Sequence, residues 1–369
     1  MSKILIITNH SYMLYRFRLE LIQELMKEHE VLLSMPFVGH EEDFQALGLR
    51  CIRTEVDRRG VNPVKDFLLF RTYRRLLESE RPDLVLTYSI KPNIYGGLAC
   101  RMAGIPYCAN VQGLGTAFQR KALARLVTVF YRMALREVRT VFFENQANAE
   151  EFRRRGIVPA GKETVLPGAG INLERYPCVP YPENQPPRFL YIGRIMREKG
   201  VDELFAAMRR LHGECGAVLD IVGFYDGDDY RKQVEGLTAD GVAVFHGFQQ
   251  DPRPYYAAAD CVVLPSYHEG MSNVLLEAAA TGRPVITSDI PGCREAVEDG
   301  KTGFLCRARD ADSLYEQMSR MARASLEERQ AMSRAGREKM AREFAKQAVV
   351  ERTVAALGCA REPAGAPRR

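Results

Sequence analysis

The stretch Cys261-Val-Val-Leu-Pro-Ser-Tyr-His-Glu-Gly-Met-Ser-Asn-Val-Leu-Leu-Glu277 carries the pattern that decides the fold. Its first four residues form a short apolar run, which is typical of a buried parallel strand. After Gly270, apolar residues recur at the spacing of a helix that packs against a core. The pattern therefore predicts a strand, a loop that contains Glu269, and a helix in which Glu277 lies about two turns from the start.

The loop between this strand and this helix is a candidate ligand site. In a doubly wound sheet, ligands bind outside the carboxyl ends of the strands. The start of a helix also offers backbone N–H groups and a positive dipole end to a phosphate. Because the two glutamates can accept hydrogen bonds from sugar hydroxyls, the loop predicts a nucleotide-sugar site. Two glutamates at this spacing also occur by chance, so the pattern alone is a hypothesis.

Apolar runs alternate with amphipathic helical stretches in both halves of the chain, which predicts two parallel α/β sheets. The predicted strands are 4–8, 31–35, 84–87, 107–111 and 141–144 in the first half and 189–192, 218–222, 242–246, 261–264 and 285–288 in the second. A chain of 369 residues is also long for one hydrophobic core. We therefore predict two Rossmann-like domains, 1–170 and 188–343, joined by a proline-rich linker at 171–187.

Composition places the chain among soluble globular proteins, with 46% hydrophobic and 27% charged residues. No run of about 18 apolar residues is present, and the N-terminal apolar stretch is too short for a signal peptide. The nine cysteines stand singly, which predicts a reduced cytoplasmic setting and no zinc site. The net charge of +5 is uneven. Residues 1–184 carry 26 Lys and Arg against 20 Asp and Glu, so the first half is expected to meet any anionic surface.

A second candidate site follows the first strand of the second half, at Tyr191-Ile-Gly-Arg-Ile-Met-Arg-Glu-Lys-Gly200. Arg194 and Lys199 lie five positions apart across a strand-to-helix turn, and Gly193 allows close approach of the backbone. Such a pair can hold a diphosphate, with Arg as a bidentate fork and Lys as a point charge. Taken alone, the pair is also consistent with two solvated surface cations.

Several segments resemble the retaining family-4 glycosyltransferases. They are residues 260–278, the stretches Gly282-Arg-Pro-Val-Ile286 and Gly300-Lys-Thr-Gly-Phe-Leu305, and the Gly-Arg…Glu-Lys-Gly pattern within 193–200. The resemblance runs over nearly the whole chain and implies the B-type fold, an α/β fold with two facing Rossmann-like domains. It implies that domain 1–170 binds the acceptor, that 188–343 binds a nucleotide-sugar, and that a C-terminal helix at about 344–357 packs back on the first domain. The tail 358–369, rich in Pro, Gly, Ala and Arg, is expected to be disordered.

The resemblance also implies a role for each residue of the two candidate sites. Arg194 and Lys199 stabilise negative charge on the departing nucleoside diphosphate. Glu277 accepts hydrogen bonds from the ribose hydroxyls, and Glu269 contacts hydroxyls of the transferred sugar. The residues expected to meet the donor through their backbones are Gly193, Met271, Ser272 and Asn273. The alternative for Glu277 is a buried carboxylate paired with a cation, and His268 is expected to be an exposed loop histidine.

Other segments look closer to the bacterial branch that acts on undecaprenyl-diphosphate-linked sugars. These are Tyr15-Arg-Phe-Arg18, Val111-Gln-Gly-Leu-Gly-Thr-Ala-Phe118 and Gly170-Ile-Asn-Leu-Glu-Arg-Tyr176. The candidate acceptor contacts are Arg16, Arg18, Gln112 and Gly113. The two arginines are expected either to meet the acceptor's diphosphate or to be surface cations. The loop after the first strand lacks the family's glycines, and the histidine often found near Gln112 is absent, so no catalytic histidine is assigned.

The Asp226-Gly-Asp228-Asp229 stretch matches an Asp-x-Asp metal signature. Asp and Gly are also common turn residues. The resembled fold needs no metal, because the two cations and the helix dipole already offset the diphosphate charge. We therefore predict no metal and no cofactor, with the UDP-sugar as co-substrate, and activity that EDTA leaves intact.

The segment 118–139 has a basic side and an apolar side at 100° per residue. The basic residues are Lys121, Arg125, Arg132, Arg136 and Arg139, and the apolar ones on the predicted core side are Leu123, Leu126, Val127, Phe130, Met133 and Ala134. The pattern is consistent with a solvated helix face over a buried stripe. It is equally consistent with a face that rests on anionic lipid headgroups.

The combined prediction is a retaining glycosyltransferase on the cytoplasmic face of the inner membrane. It would move a hexose or N-acetylhexosamine from a UDP-sugar to a lipid-linked saccharide in glycan biosynthesis. Alternatives are a UDP-sugar 2-epimerase of the same fold, which needs no acceptor, and a sensor that binds nucleotide-sugars without turnover. An NAD-dependent oxidoreductase is disfavoured because no Gly-x-Gly-x-x-Gly follows the first strand. Nucleic-acid binding is disfavoured too, because the basic residues form no aromatic-interleaved platform.

Overall fold

The computed structural model describes residues 1–57, 60, 62–115, 118 and 121–358, except for the side chains of Lys121 and Ala122. The chain divides into two units. Unit 1 comprises Met1–Ala169 and the C-terminal stretch from Gln347, and unit 2 comprises Gly170–Lys346. The predicted tail beyond Gly358 lies outside the described residues.

The described part of unit 1 contains a seven-stranded parallel sheet. Its strands are β1 (Lys3–Ile7), β2 (Glu30–Met35), β3 (Arg50–Arg53), β4 (Leu84–Tyr88), β5 (Tyr107–Val111), β6 (Thr140–Phe143) and β7 (Glu163–Val165). Their order is β3-β2-β1-β4-β5-β6-β7, so the direction of strand addition reverses between β1 and β4. In open α/β sheets, such a switch point opens a crevice at the carboxyl ends of the two strands.

The helices of unit 1 cover both faces of this sheet. They are α1 (Ser11–Met26), α2 (Glu41–Ala46), α3 (Pro63–Glu80), α4 (Gly97–Ala103), α5 (Lys121–Leu135) and α6 (Gln146–Arg154), with a π-helical turn at Pro92–Gly96. Buried residues of α1, α2 and the C-terminal helix share one core cluster, and those of α3 to α6 share another. Right-handed crossovers explain this division, because strands added in opposite directions from β1 carry their helices on opposite faces.

Unit 2 repeats the arrangement with a six-stranded parallel sheet. Its strands are β8 (Arg188–Ile195), β9 (Val218–Tyr225), β10 (Ala243–Gly247), β11 (Cys261–Leu264), β12 (Val285–Ser288) and β13 (Gly303–Cys306). Its helices are α7 (Val201–Cys215), α8 (Arg231–Ala239), α9 (Arg253–Ala258), α10 (Asn273–Ala280), α11 (Ala311–Arg323) and α12 (Leu326–Glu343), and α13 (Lys346–Leu357) is the C-terminal helix. The order β10-β9-β8-β11-β12-β13 places the switch point between β8 and β11.

The proline-rich stretch 171–187, predicted as a linker, lies against unit 2 and belongs to it. The buried guanidinium of Arg283 donates hydrogen bonds to the carbonyl oxygens of Val179 and Pro180 at 3.3 and 2.8 Å. The hydroxyl of Tyr181 donates to the carbonyl oxygen of Asp260. These bonds fix the stretch because a buried guanidinium must find acceptors for its N–H groups.

The prediction of two parallel α/β sheets is correct, and three of the ten strands have the predicted bounds. The prediction omitted β3, β7 and β13. All three are edge strands of three or four residues, so they lack the long apolar runs of strands that are buried on both sides. The C-terminal helix begins at Lys346 rather than near residue 344, because Phe344 ends α12. Among the described residues, no helix is both long and apolar enough to span a membrane.

Candidate active site

The loops that leave β8 and β11 meet at the switch point of unit 2. Gly200 follows a 3₁₀ turn at Arg197–Lys199 and has a φ of +70°. A Cβ atom built on Gly200 would lie 2.0 Å from the carbonyl oxygen of Pro265. The backbone N–H of Tyr267 donates to the carbonyl oxygen of Glu198 at 2.9 Å. The two loops are therefore in direct backbone contact.

Replacing Gly200 by alanine should destabilise the fold by at least about 3 kcal/mol. An alanine here would have to adopt a left-handed backbone conformation, and its Cβ atom would also collide with the carbonyl oxygen of Pro265. The measurement is the urea midpoint of unfolding at constant m-value. Gly213→Ala is the matched control, because Gly213 lies within α7 with no atom near its Cβ direction. That change should stabilise the fold slightly. Equal midpoints for the two variants would contradict the proposed contact.

Tyr267 and His268, which precede Glu269 in the loop, both interact with charged side chains of unit 2. The hydroxyl of Tyr267 donates to the Glu203 carboxylate at 2.7 Å, and the Arg309 guanidinium lies 4.7 Å from the Tyr267 ring centre. Burial and then the Glu203 hydrogen bond raise the pKa of Tyr267 to about 12, so it stays a donor at neutral pH. His268 is exposed, as predicted. Partial desolvation and then the Arg309 charge lower the pKa of His268, which favours the neutral imidazole at neutral pH.

Lys199 and Glu269 form the ion pair at the centre of the site. The Lys199 Nζ lies 2.5 Å from Oε1 of Glu269, and the Ser266 hydroxyl donates to the same oxygen at 2.8 Å. Both charged side chains are largely shielded from solvent, which strengthens their attraction relative to a surface pair. The structure thus joins two residues that the sequence placed in separate candidate sites.

Arg194 lies at the carboxyl end of β8, next to the point where Gly193 pairs with Gly223 of β9. A Cβ atom on Gly223 would lie 1.9 Å from the carbonyl oxygen of Gly193. The Tyr191 hydroxyl donates to the carbonyl oxygen of Arg194 at 2.6 Å. The Arg194 side chain is exposed and its Nη1 lies 3.4 Å from Oδ2 of Asp226. The long separation makes this a weak pair, so the guanidinium can turn toward an anionic ligand.

Two aspartates of the Asp226-Gly-Asp228-Asp229 stretch form ion pairs with arginine side chains. Asp226 pairs with Arg194, and Asp228 lies 3.5 Å from Arg231. The described residues contain no group of three or more side chains arranged to hold a metal ion. Metal independence of the reaction stays a prediction.

The loop that leads into α10 presents backbone groups. Met271 and Ser272 are buried, and the Ser272 N–H donates to the carbonyl oxygen of Gly292 at 2.9 Å. The Ser272 side chain makes no capping hydrogen bond to α10, which begins at Asn273. The first-turn N–H groups of a helix have no partner within the helix, so this helix start suits an anionic or hydroxyl ligand.

Glu277 is buried in α10, one turn after the helix starts. The predicted position, about two turns in, is wrong because Ser272 is extended and delays the helix. The hydroxyl of Tyr256 on α9 donates to Oε2 of Glu277 at 2.9 Å. A buried carboxylate held by a neutral hydroxyl is a strong acceptor for further hydroxyl donors.

The candidate acceptor residues lie on unit 1 near its carboxyl edge. Arg18 is buried, and its Nη2 lies 2.6 Å from Oε1 of Glu144, which directly follows β6. Arg16 is partly exposed, and its guanidinium lies 6.0 Å from the Tyr12 ring centre. Arg18 is buried against Glu144, whereas Arg16 is partly exposed, so Arg16 is the more accessible candidate for an anionic ligand.

Two further candidates follow β5. The side-chain amide of Gln112 donates to the Met13 sulfur at 3.2 Å, which brings this loop against α1. Gly113 is the next residue in the loop and is partly exposed. The structure therefore brings Gln112 next to the helix that carries both arginines.

Two family models match the chain. The model described as "Glycosyl transferase 4-like domain" matches residues 16–169. The model described as "Glycosyl transferases group 1" matches residues 186–324. Together they span most of both units. The chain belongs to the family-4 glycosyltransferases.

Two relatives match this glycosyltransferase over most of their length. The N,N'-diacetylbacillosaminyl-diphospho-undecaprenol alpha-1,3-N-acetylgalactosaminyltransferase of Campylobacter jejuni is 28% identical over 326 residues, which are 83% of this chain and 85% of the relative. The UDP-Gal:alpha-D-GlcNAc-diphosphoundecaprenol alpha-1,3-galactosyltransferase of Escherichia coli is 26% identical over 283 residues, which are 71% and 72% of the two chains.

Solved structures share the fold of this glycosyltransferase. Anabaena HepE in complex with UDP and glucose has a TM-score of 0.80 at 17% identity, with 98% of this chain and 100% of that chain covered. Sucrose-phosphate synthase from Thermosynechococcus elongatus has a TM-score of 0.77 at 21% identity, with 96% and 97% covered. The similarity confirms the predicted B-type fold, with two parallel-sheet α/β domains.

The predicted basic and apolar sides of segment 118–139 need correction in the glycosyltransferase. Leu126 and Met133, predicted in the core, are 47% and 48% exposed. The buried residues of α5 are Ala124, Val127, Thr128, Tyr131, Ala134 and Leu135, so the core-facing side is rotated away from Leu126 and Met133.

The basic residues of this segment are also arranged differently. Because α5 ends at Leu135, Arg136 and Arg139 lie beyond it, although both are exposed. Arg132 is exposed, and its Nε donates to the carbonyl oxygen of Arg155 at 2.9 Å. Arg125 is exposed on α5, and the Lys121 side chain lies outside the described residues.

Sequence reasoning missed three residues that hold the sites in place: Ser266, Tyr256 and Glu144. Glu144 is the last residue of the predicted strand 141–144, and Ser266 lies two residues after the predicted strand 261–264, so position at the carboxyl end of a strand is the signal that could have identified them. Tyr256 carries no such signal, because its contact with Glu277 depends on the packing of α9 against α10.

Proposed function

We propose that this glycosyltransferase moves a hexose or N-acetylhexosamine from a UDP-sugar to an undecaprenyl-diphosphate-linked saccharide, with retention of anomeric configuration. The observation that carries the donor half is the shielded Lys199–Glu269 pair, in which Glu269 belongs to the loop before α10, together with the buried carboxylate of Glu277 one turn into α10. The acceptor half rests on the two relatives, whose names specify lipid-diphosphate-linked acceptors. Both names denote transferases, which favours transfer over the 2-epimerase alternative.

The donor would bind across the switch point of unit 2. The ribose hydroxyls donate to Glu277, whose Oε2 also accepts from Tyr256. The diphosphate meets Arg194 and Lys199, and the N–H groups at the start of α10. The Lys199 ammonium then exchanges part of its contact with Glu269 for a phosphate oxygen. Glu269, still held by the Ser266 hydroxyl, accepts from a hydroxyl of the transferred sugar.

In the transfer step, an acceptor hydroxyl oxygen bonds to the anomeric carbon on the face from which UDP departs. The bond from that carbon to the β-phosphate oxygen breaks, and its electron pair stays on UDP. The acceptor hydroxyl proton passes to the departing β-phosphate. Arg194 and Lys199 stabilise the growing negative charge because they are positioned before the reaction starts. No side chain is assigned as general base.

The acceptor's location would place the enzyme on the cytoplasmic face of the inner membrane. Arg16 is the candidate contact for the acceptor diphosphate, with Gln112 and Gly113 beside α1. The exposed Arg125 and Arg136 in and after α5 would attract anionic headgroups, with about 1 kcal/mol for each cation near the surface.

The test begins with the melting temperature in the presence of UDP-, GDP-, ADP- and CMP-sugars. A ligand that binds only the folded state raises the melting temperature, and we expect the largest shift with a UDP-sugar. That donor should then support transfer to an undecaprenyl-diphosphate-linked saccharide in detergent. NMR of the new glycosidic bond should show the donor's anomeric configuration. A shift confined to another nucleotide class, or an inverted product, would overturn the corresponding part of the proposal.

EDTA should leave the turnover of the purified enzyme unchanged. The positive groups Arg194 and Lys199 supply the charge that a divalent cation supplies in metal-dependent transferases. The measurement compares UDP release before and after chelation, with magnesium added back as the control. A loss on chelation that magnesium restores would show that a metal takes part.

A further inference from the structure

The outer face of α3 begins with an apolar stripe, which consists of Val64, Phe67 and Leu68. These side chains are 68%, 59% and 53% exposed. Single exposed apolar residues are common on protein surfaces. Three large ones at positions i, i+3 and i+4 form one continuous patch on a helix, and such patches mark interaction surfaces.

The stripe is not part of the core that α3 builds. The buried side of α3 consists of Leu69, Tyr73, Leu76 and Leu77, which lie opposite the stripe at 100° per residue. The same exposed side of α3 carries basic residues further along the helix. Arg71 and Arg75 lie in line with the stripe, one and two turns after it. The outer face of α3 is therefore apolar in its first two turns and basic in the next two.

The start of α3 is held in a defined position. The Asn62 side chain accepts from the backbone N–H groups of Val64 and Lys65 at 3.0 and 3.2 Å, which caps the helix. Asp66, between the stripe residues, lies 2.6 Å from the Lys91 ammonium, and both are largely shielded from solvent. Lys91 lies three residues after Tyr88, the last residue of β4, near the switch point of unit 1. The stripe is thus fixed beside the edge where this fold binds ligands.

The neighbouring helices present more exposed apolar side chains on the same face of the sheet. They are Met102 on α4 and Leu126, Val129 and Met133 on α5. Apart from Met1, the described residues of unit 1 include two further exposed large apolar side chains. These are Val38 and Leu47, and both lie outside α3, α4 and α5. The apolar surface of unit 1 is therefore concentrated on one face, together with the exposed Arg125 and Arg136.

We propose that the stripe of α3 inserts into an anionic lipid bilayer, while the arginines that follow it contact the headgroups. This deepens the proposed function, on which it rests for the choice of a bilayer as partner. Apolar residues beside Lys and Arg on a helix are the composition of interfacial membrane contacts. Insertion also places the carboxyl edge of unit 1 close to a lipid-linked acceptor.

The proposal differs from purely electrostatic docking in its salt dependence. Salt screens the attraction between arginines and headgroups, whereas burial of apolar side chains is not screened. Binding to vesicles should therefore weaken when NaCl rises from about 0.1 M to about 0.5 M, yet persist in part.

The first test is sedimentation of the full chain with vesicles of phosphatidylethanolamine and phosphatidylglycerol. The triple variant Val64→Ser, Phe67→Ser, Leu68→Ser should bind at least about tenfold more weakly at both salt concentrations. The matched control is Val38→Ser, Leu47→Ser, Val244→Ser, which removes three exposed apolar side chains elsewhere and should bind like the parent. A melting temperature close to that of the parent, measured without ligand, verifies that each variant is folded.

The second test uses the absence of tryptophan from the chain. Phe67→Trp introduces a single indole into the stripe, and Leu47→Trp introduces one on the opposite face of unit 1. With vesicles, the emission of the first variant should shift to the blue and be quenched by lipids with brominated acyl chains. The emission of the second variant should not change.

Three results would overturn the proposal. The first is that the serine triple variant binds vesicles as well as the parent does. The second is that the control variant loses as much vesicle binding as the serine triple variant. The third is that brominated lipids do not quench the emission of Phe67→Trp. A parent that dimerises through the stripe and ignores vesicles would identify a second copy of the chain as the occupant instead. None of these readouts requires a donor or turnover. Failure of the stripe and failure of the transferase proposal are therefore distinguishable.

Discussion

Lys199→Met should lower kcat by about 100- to 1000-fold while the protein remains folded. Methionine keeps the length and apolar stem of lysine but removes the charge that would offset the departing diphosphate. The lost interaction strengthens as the bond to the anomeric carbon breaks, so kcat should fall more than the affinity for the donor. The measurement is UDP release under saturating donor and acceptor, with donor affinity determined separately from melting shifts.

Lys301→Met is the matched control for this prediction. Lys301 also forms an ion pair with a glutamate of unit 2, Glu298, at 2.7 Å, but its side chain is exposed and distant in sequence from both loops of the site. Exposed pairs contribute little, so stability and turnover should stay close to those of the parent. Turnover of Lys199→Met within a few-fold of the parent would remove Lys199 from the mechanism.

The pairing of Lys199 with Glu269 shows which part of the site the sequence could predict. The two residues are 70 positions apart, yet each was identified by its place just after a buried strand. Parallel strands bring their carboxyl ends to one edge, so residues at these positions converge wherever their strands are neighbours. The adjacency of β8 and β11 is a consequence of topology, which strand patterns alone leave open.

Side-chain partners within the sites could not be predicted in this way. The Tyr256–Glu277 and Arg18–Glu144 contacts join elements 21 and 126 positions apart in the chain. Neither pair follows a periodicity or spacing rule, because each depends on how a helix is rotated in the packed structure. Sequence reasoning therefore gave Arg18 either an acceptor contact or a place on the surface, and it missed that Arg18 is buried against Glu144.

The two helices on the outer face of unit 1 show a limit of hydrophobic patterns. In α5, Leu126 and Met133 were assigned to the core side because they lie opposite the basic residues at 100° per residue. Both α3 and α5 carry apolar residues on more than one side, so periodicity cannot tell which side faces the sheet. The structure settles this choice, because Leu126 and Met133 are exposed while Val127 and Tyr131 pack in the core.

Glu277→Gln should weaken binding of UDP by about 10- to 100-fold. Glutamine preserves the shape of the side chain, but one of its two terminal groups donates instead of accepting, so it cannot serve two ribose hydroxyls as a carboxylate does. Loss of a hydrogen bond to a charged group costs about 1.5–3 kcal/mol. The measurement is the dissociation constant of UDP by calorimetry, together with the melting shift.

Two comparisons separate the ribose contact from general damage to α10. Tyr256→Phe removes the hydroxyl that donates to Oε2 of Glu277 at 2.9 Å but keeps the carboxylate, so UDP affinity should change only a few-fold. The second comparison uses 2′,3′-dideoxy-UDP, which lacks the ribose donors. The parent should bind it as weakly as Glu277→Gln binds UDP, and the variant should not distinguish the two ligands, because removing either partner removes the same interaction. If the variant still discriminates between UDP and its dideoxy analogue, the ribose is held elsewhere and Glu277 is a structural carboxylate paired with Tyr256.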